Sequence, residues 1–267
     1  MADQTESLLA QVQDAIARKA PLAIKGGGSK AFMGRGLRGE LLSLAEHTGV
    51  VSYQPVELVL TARAGTRLDE IDQVLAEHGQ RLAFEPPRFS GADTLGGTLA
   101  CNLSGPGRPW QGSVRDHVLG VRLINGRGEH LRFGGQVMKN VAGYDASRLQ
   151  AGALGTLGVV TEISLKVLPA PAMEQTLTVE RSLTEALALM NQLAGQPKPL
   201  SAACWVKGRL YLRLSGARSA VEATAAQWRQ QHGVQAAEPE LNVWSQLRDQ
   251  KLDFFRGERP LWRFSVN

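Results

Sequence analysis

Apolar positions recur at helical spacing near the start of the chain. Leu8, Val12, Ala15 and Ile16 share one face, which predicts an amphipathic helix over 5–19, and Pro21 follows it. Leu22-Ala23-Ile24 then reads as a short strand running into the turn Lys25-Gly26-Gly27-Gly28-Ser29-Lys30. Val50–Tyr53 and Leu58–Ala64 have the character of strands. Thr66 reads as the N-cap of a helix carrying Leu68, Ile71, Val74 and Leu75, with His78-Gly79 as its stop. Pro86-Pro87 breaks the pattern, and residues 91–113 are rich in small side chains. Val118–Ile124 and Glu129–Phe133 flank Asn125-Gly126-Arg127-Gly128, a hairpin signal. A short helix is expected over Ala146–Ala151 and an alternating strand over Val159–Val167; Pro169 and Pro171 close it and set a domain boundary.

Beyond the prolines the order of elements changes. Thr176–Glu180 reads as strand and Leu183–Leu193 as helix, Ala202–Val206 and Arg209–Leu214 as a hairpin over Lys207-Gly208, Ala220–Gln231 as helix and Val234–Ala236 as a last strand. That is β-α-β-β-α-β, the ferredoxin-like order. Val243–Phe255 is expected to be helical and Leu261–Val266 strand-like. The sequence stops inside that last run, which reads as a truncated or natively short version. The predicted organisation is 1–170, 171–240 and a C-terminal helix and strand over 241–267.

Composition narrows the class. Of 267 residues, 43% are hydrophobic and 21% charged, a globular balance. The net charge of +5 favours anionic ligands or surfaces, but no dense Lys/Arg tract or aromatic-interleaved basic stripe points to nucleic acid. Cys101 and Cys204 form no CxxC and no zinc pattern, and two cysteines cannot ligate a four-cysteine iron–sulfur cluster. No apolar stretch approaches the length of a membrane span, and the polar start has no signal-peptide core. The expected location is cytoplasmic, or peripheral at an inner membrane through partners.

Much of the glycine clusters in segments suited to a phosphate-bearing ligand. Gly26, Gly27 and Gly28 allow positive φ and bring N–H groups towards an anion, while Ser29 and Lys30 add a hydroxyl and a charge. A flexible hairpin loop is the alternative. Gly91, Ala92, Thr94, Gly96 and Gly97 stand where a loop enters a helix, a place that favours anions; tight packing at a strand crossing is the alternative. A third cluster spans Gly152–Gly158. Three separated clusters fit a long, bent cofactor better than one packing accident. Gly34-x-Gly36-x-x-Gly39 matches the dinucleotide fingerprint but follows a loop and opens no helix, so it is rejected.

On these residues the chain resembles the vanillyl-alcohol oxidase, or PCMH-type, FAD-binding superfamily. Gly26–Lys30 and Gly91–Gly97 match its two phosphate loops, and Gly155–Glu162 its adenosine-side strand. A narrower resemblance, to the FAD-binding subunits of bacterial glycolate oxidases, is carried by Ser104–Arg108, Gly112–Leu119, Gly134–Gly143 and Tyr144-Asp145. The resemblance implies an α+β fold: an FAD domain of two α+β subdomains, then a ferredoxin-like cap over the flavin. It implies that Gly26, Gly27, Gly28, Ser29 and Lys30 hold the pyrophosphate, that Gly91, Ala92, Thr94, Gly96 and Gly97 line the second side, that Ser104, Gly105, Gly112 and Arg115 lie near the flavin, and that Gly158 and Val160 reach the adenosine end. Many relatives attach FAD through a histidine in the first loop. Ser29 stands there in this chain, so noncovalent FAD is expected.

The implied activity is oxidation of glycolate to glyoxylate, with electrons leaving through an iron–sulfur subunit. A second flavoprotein subunit would complete the complex. No catalytic base is identified: His47, His78, His117, His130 and His232 are scattered and read as surface or turn residues. Three readings therefore stay open. One is a subunit of such a complex, oxidising or relaying. Another is a free-standing 2-hydroxy-acid dehydrogenase with Arg209 or Arg213 as substrate anchor. The last is a scaffold that lost its flavin.

Overall fold

The computed structural model describes residues 2–36, 38–135, 144–238, 242–258 and 260–262. Residues 136–143, which carry part of the narrower resemblance, and 263–267, the end of the expected last strand, lie outside the described residues. The chain divides into two compact units, 1–104 with 111–170, and 105–110 with 171–267.

The first unit opens with helix α1 (Thr5–Arg18), which buries Leu8, Val12 and Ala15. Ile16, expected on the same face, is exposed. Strands β1 (Leu22–Lys25) and β2 (Glu40–Ser43) pair in parallel, and Leu22, Ile24 and Leu42 pack with α1. Strands β3 (Val50–Gln54) and β4 (Val59–Arg63), helix α2 (Leu68–Ala76), strand β5 (Gln80–Arg81) and helix α3 (Leu95–Cys101) follow. After a helical turn, α4 (Arg108–Gln111), whose first three residues belong to the second unit, the first unit continues with α5 (Val114–His117), β6 (Val118–Ile124), β7 (His130–Gly134), α6 (Ala146–Leu149), β8 (Val159–Lys166) and β9 (Leu168–Pro169). The main sheet has the order β3-β4-β8-β6-β7 and is antiparallel throughout. Leu68, Ile71 and Leu75 of α2 and Leu95 and Leu99 of α3 share a buried cluster with Leu60, Val121 and Ile163 of that sheet. Thr66 does not cap α2, since Arg67 holds that position without a side-chain cap. The Thr66 hydroxyl instead points inward, donating to Gly49 O and accepting from Gly49 N–H.

The second unit contains strand β10 (Met173–Glu180), helix α7 (Leu183–Ala194), strands β11 (Leu200–Val206) and β12 (Arg209–Gly216), helix α8 (Arg218–His232) and strand β13 (Gln235–Ala236). Sheet order β11-β12-β10-β13, antiparallel at every pairing, is the ferredoxin-like arrangement that the β-α-β-β-α-β order predicts. Ser182 and Glu185 form a reciprocal capping box at the start of α7. Trp228 of α8 is fully buried against Leu177, Leu210, Leu212 and Leu214. The expected helix over Val243–Phe255 breaks into α9 (Val243–Arg248) and a 3₁₀ turn at Asp253–Phe255.

Two histidines expected at the surface are buried. His117 lies with one ring nitrogen 2.8 Å from Gln111 O and the other 3.3 Å from Lys166 O. His47 is fully buried; its Nδ1 accepts from Gln4 N–H at 3.0 Å, which leaves Nε2 to donate to Thr161 O at 3.1 Å. Burial pushes the His47 pKa below its ordinary value, so the folded chain holds it neutral. The unfolded chain protonates this group at about pH 6.5. The associated stability is therefore present above that pH and falls as pH is lowered through it. Urea midpoints of the flavin-free chain are expected to drop between pH 7.5 and 5.5, and His47→Gln to flatten that drop; an equal drop in the variant would assign the effect elsewhere.

Candidate functional site

The three glycine segments converge within the first unit. A Cβ on Gly27 would lie 1.6 Å from Ala92 O, and one on Gly26 would lie 2.6 Å from Thr94 Oγ1, so the first two loops touch through backbone. The third segment hangs from the end of α3, with Gly152 N–H donating to Leu99 O and Leu154 N–H to Ala100 O, both at 3.0 Å. A Cβ on Gly155 would lie 3.4 Å from the Ile24 side chain of β1, and one on Gly34 would lie 3.2 Å from that of Leu154.

A buried ion pair joins the first two loops. Lys30 Nζ lies 2.7 Å from Asp93 Oδ1, with side-chain exposures of 5% and 2% that exclude water from the pair. Ser29 Oγ donates to the same oxygen at 2.6 Å, and Asp93 Oδ2 accepts the Phe89 and Ser90 N–H groups. Burial would raise the Asp93 carboxyl, but the hydrogen bonds from Lys30 and Ser29 outweigh it and hold the pKa below its ordinary value. Phe89 also stacks edge-on with Phe32 and sits under the Lys30 ammonium. Sequence reasoning passes over Asp93. Its position inside the second glycine segment is the available signal, but its partners lie 63 and 64 residues away.

The first loop is arranged to receive an anion. The backbone N–H groups of Gly27, Gly28 and Ser29 donate to no protein acceptor among the described residues, and Gly28 has φ +75°. The start of α3 is different. Leu95 N–H donates to Thr66 O, Gly96 N–H to Ala64 O and Gly97 N–H to Thr94 Oγ1, so the helix entrance expected to bind an anion has its donors taken by protein groups. Gly96 is required by packing, since its Cβ would lie 2.8 Å from that of Ala64. Gly91, with φ +68°, accepts from the Arg67 guanidinium.

The other expected residues are spread over both units. Ser104 Oγ is buried and unpartnered among the described residues, as is Asn102 Oδ1 in the turn that ends α3. Gly112, with φ +76°, precedes the Ser113–Asp116 capping box, and Arg115 is exposed. Gly158 (φ +143°) passes Ile124 O, where a Cβ would lie 2.8 Å away, and Val160 pairs with Leu123 in the sheet. Gly105 belongs to the second unit. Of the possible substrate anchors there, Arg213 is buried on Ser201 and over the Trp244 ring, and Arg209 pairs with Glu180 at 3.0 Å. The second unit also holds a cavity of about 1060 Å³ among Trp205, Tyr211, Leu247 and Phe255, with none of the glycine segments in its wall.

The glycine-loop geometry fits a dinucleotide: an unpaired N–H run for the pyrophosphate and loops in backbone contact. Comparison with known proteins agrees. Residues 1–134 match the family model described as an FAD binding domain. Glycolate oxidase subunit GlcE of Escherichia coli K12 is 49% identical over 264 residues, 99% of this chain and 74% of that protein. Glycolate oxidase subunit GlcD of Bacillus subtilis is 32% identical over 60% of this chain and 34% of its own length. A D-lactate dehydrogenase of Anaerostipes hadrus is 29% identical over 72% of this chain and 40% of its own. Among solved structures, alkyldihydroxyacetonephosphate synthase aligns with TM-score 0.73 at 18% identity over 92% of this chain and 53% of that one, a likeness of fold. The chain thus spans about three quarters of GlcE and about half or less of these other relatives.

Proposed function

This chain belongs to the FAD binding domain family, and within it to the family of glycolate oxidase subunit GlcE; from that premise we propose that it is the FAD-binding subunit of a complex oxidising glycolate to glyoxylate. The observation that carries the cofactor assignment is the run of unpaired N–H groups at Gly27, Gly28 and Ser29, held against the second loop by the Lys30–Asp93 pair. Bound FAD supplies the hydride acceptor for oxidation at a hydroxyl-bearing carbon. The chain's own residues bind and orient it. Gly27, Gly28 and Ser29 would donate backbone N–H groups to the pyrophosphate, and Ser104 would lie near the flavin. Residues 1–104 and 111–170 form the FAD domain, and 171–240 with 105–110 the cap.

FAD is held without a covalent bond, because Ser29 occupies the first loop and its hydroxyl is committed to Asp93. With only Cys101 and Cys204, both free, an iron–sulfur centre downstream of the flavin belongs to another subunit, and a second flavoprotein subunit completes the assembly. No helix among the described residues is long and apolar enough to cross a membrane, and the chain works in the cytoplasm or at the membrane surface through those partners. A relay role without substrate oxidation is the second reading. It is favoured by four of the five histidines: His47, His117 and His130 have ring nitrogens committed to protein oxygens, and His78 stacks edge-on with Tyr53.

Purified chain is expected to show flavin absorption near equimolar, with all of the flavin in the supernatant after acid precipitation. Flavin retained in the pellet would overturn the noncovalent assignment. Glycolate-dependent dye reduction is expected only after reconstitution with the partner subunits. Activity of the isolated chain would favour a free-standing dehydrogenase instead.

A further inference from the structure

The first glycine turn has a lysine at each end, and the two are placed for different work. Lys30 is buried on Asp93, and its charge is neutralised between the loops. Lys25 closes β1 with an exposed side chain and pairs with no acidic group among the described residues. That side chain folds across the turn: a Cβ built on Gly28 would lie 2.7 Å from Lys25 Cε and 3.4 Å from Nζ. Gly28 therefore serves twice. It takes φ +75°, and its missing side chain leaves the space that Lys25 Cε and Nζ approach, on a turn whose Gly27, Gly28 and Ser29 N–H groups are unpaired.

Resting on the reading of this turn as the pyrophosphate cradle, we propose that Lys25 is the side-chain cation for the pyrophosphate and that Lys30 is a positioning residue whose charge does not reach it. Sequence alone favours Lys30, which adjoins the glycines on the ligand-ward side of the motif. The fold reverses the assignment, because a cation neutralised in a dry pair offers little field to a second anion, whereas an unpaired one at the rim offers most of its own.

The test is titration of the flavin-free full chain with FAD, followed by flavin fluorescence, beside competition by ADP, which carries the pyrophosphate, and by adenosine, which does not. Lys25→Met is expected to weaken FAD and ADP binding by roughly 10-fold, the effect of losing one charge-assisted hydrogen bond. Adenosine competition and the melting temperature of the flavin-free chain should stay unchanged, and Lys25→Arg should recover most of the affinity. Unchanged FAD and ADP binding in Lys25→Met would overturn the proposal. So would a loss of affinity accompanied by a lower melting temperature or by an equal loss for adenosine, because Lys25 would then be structural. Failure of the unsubstituted chain to bind FAD or ADP would overturn the cradle itself, and the role of Lys25 with it.

Discussion

Gly27→Ala is expected to weaken FAD binding about 100-fold. An alanine Cβ would sit 1.6 Å from Ala92 O, whereas real Cβ atoms essentially never come closer than 3.0 Å, so the two loops must separate by about the 1.4 Å difference. The atom in the way is backbone and cannot rotate aside. The separation also pulls on the Lys30–Asp93 pair further along each loop, so the strain has no easy outlet. The N–H groups of Gly27, Gly28 and Ser29 would lose their common aim. A penalty on the order of 3 kcal/mol corresponds to about a 100-fold weaker Kd. Gly36→Ala is the control, since a Cβ there meets nothing within 4 Å. Isothermal titration of both variants with FAD decides the matter. Near-normal affinity in Gly27→Ala would mean that the loops are not in backbone contact when FAD is bound.

Legibility in the sequence follows the range of the interaction. The ferredoxin-like unit can be read almost element by element, because period-2 alternation in Arg209–Gly216 and the Ser182-x-x-Glu185 box are local signals. Strand β2 escapes notice. Its four residues bury only Leu42 and pair in parallel with a strand across the whole first glycine loop, so they carry no alternation and no turn. Thr66 has the local marks of a helix cap, but its hydroxyl is claimed by Gly49, 17 residues back. The glycine segments are recognisable by composition, yet composition cannot separate two reasons for glycine. Gly28 is needed for positive φ and open N–H groups, and Gly96 for passage close to Ala64. The same limit applies to charge. Lys30 looks like a ligand until Asp93 comes to it through the fold, and Arg213 looks like an anchor until Ser201 and Trp244 close around it.

Asp93→Ala is expected to destabilise the flavin-free chain by about 3–5 kcal/mol, the usual cost of leaving one partner of a buried ion pair unpaired. The substitution strands the Lys30 ammonium at 5% exposure, and it also removes the acceptor of the Phe89 and Ser90 N–H groups and of the Ser29 hydroxyl. In a unit of this size the melting temperature should fall by about 10 °C. The double variant Lys30→Met/Asp93→Leu should recover only the part of the loss that comes from the stranded ammonium, since the Phe89 and Ser90 N–H groups and the Ser29 hydroxyl still lack their acceptor. The pH dependence distinguishes this pair from other charges. Burial acts to raise the Asp93 pKa, but the hydrogen bonds from Lys30 and Ser29 outweigh it and hold the group below its ordinary value. The stabilisation is therefore complete above the unfolded value of about 3.9 and is lost as pH falls through the lower folded value. Urea unfolding of wild type and Asp93→Ala should then differ by the same amount at pH 7 and pH 5 and converge only in stronger acid. His47 would act on both proteins alike near pH 6.5 and cancel from the difference. A difference below about 1 kcal/mol, the range of an exposed pair, would mean that water reaches Lys30 and Asp93 in solution and that the two loops are not tied by a dry contact.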